Sequence, residues 1–299
     1  MKIFILIIFC FSLITFPGRA QETQQLKRKI DSLLTTEKGD FAVAFRDAGD
    51  PENYIFINGH ENFHAASTMK TPVMLEVFKQ VREGKFKLSD SLLVKNEFKS
   101  IVDRSSFSLD ISRDGGEQLY EQIGTYRSIE DLVTDMIIYS SNLATNIIIE
   151  LVGAGNVNAT LREMGAKNIN VLRGVEDMKA YDAGLNNSTT AYDLLLVLEA
   201  IGNGTAVDKD SGDKMVDILL KQKDRSMIPA LLPENVKVAN KTGMITGVHH
   251  DSAIVFLPGG DKYVLVLLSK NVEEMERATN MLARVSLLVY EHMKGRKDH

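Results

Sequence analysis

The sequence predicts a mixed α/β fold: an antiparallel five-stranded sheet flanked by the N- and C-terminal helices, with an all-helical lobe inserted into it. Three observations carry that reading. Strand-sized apolar segments fall in two groups, one towards each end of the chain. The long stretch between them repeats its apolar residues with helical period. An amphipathic helix precedes the first group and another follows the last.

Residues 22–35 place Leu26, Ile30 and Leu33 on one side of a helix. Phe41–Phe45 and Tyr54–Ile57 read as strands of a hairpin, because the Asp-Ala-Gly-Asp-Pro stretch at 47–51 between them has turn chemistry. A helix is expected from near Ser67 to about Gly84, with Pro72 tolerated only in its opening turn. Helices follow at Ile129–Tyr139, Leu143–Val152 and Thr189–Ile201, the last with Ser188 or Thr189 as N-cap. Strands return at Val236–Lys241, Ser252–Leu257 and Lys262–Leu268, with Pro258-Gly259-Gly260-Asp261 as a turn, and a helix spans Val272 to Met293. The sheet lobe then comprises residues 21–66 and 226–299 and the helical lobe residues 67–225, so a site is expected in the cleft between them.

The first 20 residues have a different character. Lys2, the apolar run Ile3–Phe16 and the small residues before Gln21 read as a secretory signal peptide, which predicts export to the periplasm or beyond and a single mature domain over 21–299. Cys10 is the sole cysteine and falls in that peptide, so the mature chain has no disulfide, thiol nucleophile or cysteine-ligated metal. The six histidines, His249-His250 included, lack metal-ligand spacing; neither a metal nor a cofactor is inferred. A net charge of −5 without a basic cluster gives no footprint for nucleic acid. No later segment is long and apolar enough to hold the mature chain in a membrane, and a monomer is the default.

Three short segments could carry chemistry. In Ser67-Thr68-Met69-Lys70, a serine at a helix start has a lysine one turn on; a buried amine of lowered pKa can take the hydroxyl proton, and helix N–H groups favour the developing negative charge. In Tyr139-Ser140-Ser141-Asn142, between two helices, Ser140 could relay a proton to a leaving nitrogen and Asn142 could bond a substrate amide. In Lys241-Thr242-Gly243, on a strand, Lys241 and Thr242 offer a charge and a hydroxyl to a carboxylate, while Gly243 lets a ligand lie close to the backbone. A second Ser-x-x-Lys, Ser211 to Lys214, lies in a polar, loop-like stretch and is read as coincidental. Ser269-Lys270-Asn271 repeats the Ser-x-Asn form at a strand end.

In this order and on these elements, the three motifs resemble those of the class A β-lactamase family, which shares its fold with penicillin-binding proteins. The resemblance covers nearly all of the mature chain. It implies that Ser67 attacks a lactam carbonyl, that Lys70 helps to take its proton and that Ser140 protonates the lactam nitrogen. It also implies an oxyanion hole from the backbone N–H groups of Ser67 and Met244. Lys241 and Thr242 would hold the substrate carboxylate, Asn142 the side-chain amide, and Asn146 would support the helix. Glu176 is the candidate general base for deacylation, with Asp177 next. The family's loop has a water-holding asparagine four residues after the glutamate; here that position is Ala180, or Tyr181 if Asp177 is aligned instead. Arg173 resembles the loop arginine, with Asn187 in the place of its usual aspartate partner. The stretch Phe98–Tyr126 would form one cleft wall, with Phe107 or Tyr126 as an aromatic gate or a packing residue. The implied activity is hydrolysis of a small-molecule β-lactam through an acyl-enzyme on Ser67. The alternative is a related serine hydrolase, a D,D-peptidase or penicillin-binding-like protein that β-lactams acylate and that turns them over slowly.

Overall fold

The computed structural model describes residues 17–295. Residues 1–16, most of the predicted signal peptide, lie outside the described residues. Helix α1 spans Pro17–Leu34. The central sheet comprises β1 (Asp40–Asp47), β2 (Tyr54–Ile57), β3 (Lys237–Ile245), β4 (Val248–Phe256) and β5 (Lys262–Lys270) in the spatial order β2-β1-β5-β4-β3, with each adjacent pair antiparallel. Between β2 and β3 the chain forms α2 (Lys70–Arg82), α3 (Ile129–Ile138), α4 (Asn142–Val152), α5 (Ala154–Glu163), α6 (Met178–Asp182), α7 (Ala191–Gly202) and α8 (Lys209–Leu219). Helix α9 (Met275–Gly295) closes the chain. Among the described residues, no helix is long and apolar enough to cross a membrane.

The sheet is buried on both faces, and strand alternation sorts its side chains between two cores. Phe41, Val43, Phe45, Leu265 and Leu267 pack with Leu26 and Ile30 of α1 and Leu282, Val285 and Val289 of α9. Ala42, Ala44, Val264, Val266 and Leu268 pack with the inserted helices, among them Leu194 and Leu198 of α7. Burial on both sides explains why the late strands are apolar at successive residues rather than alternating with polar ones.

Several boundaries differ from the expectations. The helix expected from Ser67 opens as a 3-10 turn at Ala66–Met69 before α2, whose third residue is Pro72. Ser188 and Thr189 do not cap α7: they pair with Phe63–His64 in a short antiparallel ladder, and the Thr190 hydroxyl caps the helix by accepting from Asp193 N. Two further two-stranded ladders, Ser91–Leu93 with Tyr126–Ser128 and Phe98–Lys99 with Ser106–Phe107, add to the helical insertion. Ser211 and Lys214 lie in helix α8, capped by Asp208, rather than in a loop; Met215, Ile218 and Leu219 give that segment a buried apolar side which the polar residues mask. Both β3 and β4 are longer than their apolar cores, because sheet pairing continues through Thr242–Ile245 and Val248–Asp251. Helix α9 starts at Met275 rather than Val272.

Phe45 is fully buried and meets Tyr263 edge-on, with ring centroids 5.8 Å apart. Phe45→Ala should destabilise the fold by roughly 3–5 kcal/mol through lost burial and the cavity left behind, read from the midpoint of urea unfolding.

Candidate active site

The cleft is built where the edge of the sheet meets the turn that carries Ser67. Strand β3 is outermost, so one of its edges has no strand partner. A Cβ added to Gly243 would lie 2.8 Å from Ser67 N and 3.0 Å from Thr68 N, so only glycine lets the Ser67 turn sit against this strand. Before the turn, Ala65 N donates to Asn187 O (2.9 Å). Ala66 has φ +44°, a left-handed conformation that is strained for a residue with a Cβ. Its N–H donates to Nδ1 of His64 at 3.0 Å.

Lys70 and Lys241 are both fully buried and both reach Ser140. Lys70 Nζ lies 2.6 Å from Ser140 O, 3.1 Å from Ser140 Oγ and 3.0 Å from Asn142 Oδ1. Lys241 Nζ donates to Ser140 Oγ (3.0 Å) and to Thr242 O (2.8 Å). Burial, then the charge of Lys241, pushes the Lys70 amine well below the usual lysine range, against the pull of Asp114 and Glu176. Burial likewise pushes Lys241 down to about 7, opposed by Asp251 and Asp224. The Thr242 hydroxyl donates to Asp224, which lines the same cleft.

The Ser140 turn is held from below by Asp114, a residue that the motifs do not reveal. Its buried carboxylate accepts from the N–H groups of Asn142, Leu143 and Gly116, each at 2.8 Å, and from the Tyr120 hydroxyl at 3.0 Å. An anion is thus placed at the N-terminus of α4, where free N–H groups and the helix dipole favour it. Close packing adds to this: a Cβ on Gly115 would lie 2.2 Å from Tyr139 O. Within this frame Ser140 takes φ +57°. The available signal was the run Asp114-Gly115-Gly116, an acid ahead of two glycines.

The loop between α5 and α6 brings Glu176 to the same place. Its carboxylate accepts from Asn142 Nδ2 (3.0 Å) and from Asp110 N (3.2 Å), with φ +60° at the residue itself. Asn142 therefore links Lys70 to Glu176. Asn146, expected as support, binds both polar groups of Val175: Nδ2 donates to Val175 O (3.0 Å) and Oδ1 accepts from Val175 N (2.7 Å). Asp177 is occupied elsewhere, accepting from Ser100 Oγ (2.8 Å), Ile101 N (2.9 Å) and Ala180 N (3.1 Å). Ala180 is fully buried. Asn187 braces the loop through the backbone of Leu172 and Arg173, not through the guanidinium. Arg173 donates instead to Leu185 O, Gly174 O and Asn186 Oδ1.

The resulting cleft, about 670 Å³, is lined by Ser67, Ser140, Asn142, Glu176, Thr242, Gly243 and Met244, so these expected site residues converge. Arg113 and Gly115 supply one wall, as expected of that segment. Neither candidate gate is there: Phe107 packs on Phe98 (6.0 Å between centroids), and Tyr126 lies in the Ser91–Leu93 ladder. The aromatic groups at the cleft are Tyr139 and Tyr181, accompanied by Met178. Pairing with a short ladder drew the two candidates away, which local sequence does not reveal. Among the described residues, no group of three or more His, Cys, Asp or Glu side chains is disposed to hold a metal ion.

The Ser67 turn packed on a sheet edge, with two buried lysines meeting at Ser140, makes this cleft the candidate active site of an α/β scaffold. The sequence profile of the Beta-lactamase enzyme family matches residues 25–293, and the chain belongs to that family, which makes it a β-lactam hydrolase at family level. A β-lactamase of Bacteroides uniformis is 25% identical over 309 aligned residues, spanning 97% of this chain and 99% of that protein. Among solved structures, a mutant of PBP-A captured as an acyl-enzyme complex with penicillin G is 25% identical, with a TM-score of 0.77 over 91% of this chain and 97% of that one. The extended-spectrum β-lactamase TLA-1 shares the fold at 21% identity, with a TM-score of 0.78 over 91% of this chain and 99% of its own.

Asp114→Ala should lower unfolding free energy by roughly 2–4 kcal/mol, because it strands several buried donors at once. Chemical denaturation checks this, and Asp114→Asn should retain part of the loss.

Proposed function

We propose that this chain is a class A-type serine β-lactamase that opens the lactam through an acyl-enzyme on Ser67. The observation that carries the reading is the position of Ser140 Oγ, 3.1 Å from the Lys70 amine and 3.0 Å from the Lys241 amine, in the cleft that Ser67 also lines.

In acylation, Ser67 Oγ attacks the lactam carbonyl carbon and its proton passes to the amine of Lys70, whose pKa burial lowers. The backbone N–H groups of Ser67 and Met244 receive the developing oxyanion. The proton then moves from Lys70 through Ser140 Oγ to the lactam nitrogen as the C–N bond breaks. Lys241 stabilises that hydroxyl from the other side and supplies the positive charge for the substrate carboxylate. Asn142 receives the substrate's amide, as Lys70 and Glu176 occupy it in the free site. In deacylation, Glu176 removes a proton from water as the water attacks the ester, and Ser67 Oγ leaves with a proton. The reading of residues 1–20 as a signal peptide places this activity outside the cytoplasm.

The second reading, a penicillin-binding or D,D-peptidase-like protein, has one observation in its favour. Ala180 offers no polar group to share a deacylating water with Glu176.

Hydrolysis of a chromogenic cephalosporin, with intact-mass spectrometry on the same sample, decides between them. Sustained turnover with little adduct is expected; a stoichiometric adduct without turnover would support the second reading. Ser67→Ala should abolish covalent labelling by penicillin, and labelling that survives would remove Ser67 as nucleophile. Glu176→Gln should let the acyl-enzyme accumulate as turnover drops roughly 10²–10⁴-fold, whereas unchanged turnover would move the base elsewhere.

A further inference from the structure

His64 belongs to none of the three motifs, yet it lies three residues before the nucleophile and lines its cleft. Its backbone is fixed on both sides. The residue pairs with Ser188 in the short ladder, and its carbonyl oxygen lies 2.8 Å from Nε2 of His250 on β4. Its side chain turns back along the chain, so that Nδ1 accepts the N–H of Ala66 at 3.0 Å. That bond falls on the strained residue of the turn, Ala66 at φ +44°, immediately before Ser67. A strained conformation persists only where its surroundings over-determine it. Here the Gly243 backbone lies close on the strand side, and the imidazole accepts the hydrogen bond of the strained N–H.

We propose that His64 is a positioning residue for the nucleophile: its unprotonated Nδ1 holds Ala66 in the left-handed conformation and thereby aims the Ser67 N–H and hydroxyl, and protonation of the ring releases them. The proposal rests on Ser67 being the nucleophile. An imidazolium carries N–H on both nitrogens, so Nδ1 would oppose the Ala66 donor instead of accepting from it. Burial first, and then the charge beside the ring, favours its neutral form. Arg173 faces it from the loop, and its positive charge joins burial in lowering the His64 pKa from the ordinary histidine value. Arg173 donates to two carbonyls and an amide, and the nearby Asp177 carboxylate, itself engaged by Ser100 and Ile101, acts on it through charge. His250, facing from β4, is pushed down to about 4 by burial and is neutral over the same range. Glu176 and Tyr181 line the same cleft from the loop side. With a lowered pKa, His64 stays an acceptor at neutral pH and loses that role as pH falls below the ordinary histidine range.

The test compares His64→Asn and His64→Ala with the unaltered enzyme by the second-order rate of penicillin G acylation between pH 4.5 and 8, read as kcat/KM of hydrolysis where the protein turns over and as adduct formation by mass spectrometry where it does not. Asparagine can accept the same N–H two residues on, as in an Asx turn, and does not titrate. Its rate should lie near that of the unaltered enzyme at pH 8, and the ratio of the two should rise as pH falls. That ratio cancels the titration of every group the two proteins share, Lys70 and Glu176 included. His64→Ala should acylate roughly tenfold or more slowly at pH 8. A ratio constant across pH, or His64→Ala equal to the unaltered enzyme, would overturn the proposal. A second measurement needs no acylation. The backbone amide resonance of Ala66 should titrate with pH in the unaltered protein and stay fixed in His64→Asn. A resonance that does not move overturns the role of His64, whereas a titrating Ala66 together with penicillin G hydrolysis or labelling that survives Ser67→Ala overturns only the assignment of Ser67.

Discussion

Two buried lysine side chains share one serine hydroxyl, and much of the site follows from the need to tolerate that. Like charges at such range, away from water, repel each other and lose their hydration, so at least one amine must shed its proton or both must be compensated. The structure does some of each. Lys70 is driven well below the usual lysine range, and Asp114, Glu176, Asp224 and Asp251 are arrayed around the pair. A lowered pKa makes such an amine a readier proton acceptor than an ordinary lysine, which is what the proposed serine chemistry asks of Lys70.

The compensating groups come from segments far apart in the chain, and each is held by a backbone device. Asp114 serves twice: it accepts the free N–H groups at the start of α4 and lends negative charge to Lys70. Gly243 lets the turn of Ser67 rest on the edge of the sheet. Of the six left-handed residues other than glycine among those described, three lie at the cleft: Ala66 before Ser67, Ser140 between the lysines, and Glu176 in the loop. None of these three is glycine, so each conformation is imposed by its surroundings.

The loop of Glu176 shows the same economy of polar side chains. Asn146 binds Val175 through both ends of its amide, which fixes the residue next to Glu176. Asp177 ties the loop to residues 100 and 101 and caps α6. With these two committed to structure, Glu176 is the loop carboxylate that reaches Asn142. The apolar Ala180, four residues on in the chain, is the point at which the second reading of the protein takes hold.

Order along the chain and apolar period were enough to give the five strands, the helices at the two ends and the helical insertion, because burying a strand or helix face demands that pattern wherever the element packs. The motifs at Ser67, Ser140 and Lys241 were legible for a similar reason: short-range spacing on a helix turn or strand places their side chains. What the sequence did not disclose depends on contacts between distant segments. Thr190, not its neighbours, caps α7 because Ser188 and Thr189 pair with Phe63 and His64. Phe107 and Tyr126 are drawn into small ladders while Tyr139 and Tyr181 reach the cleft. Asp114 reaches α4 across 28 residues of sequence, and His64 meets Arg173 and His250 in one small space. Local propensity carries no information about which partner will fill a buried hydrogen-bonding position; only the folded chain, by excluding water there, makes each of those partners necessary.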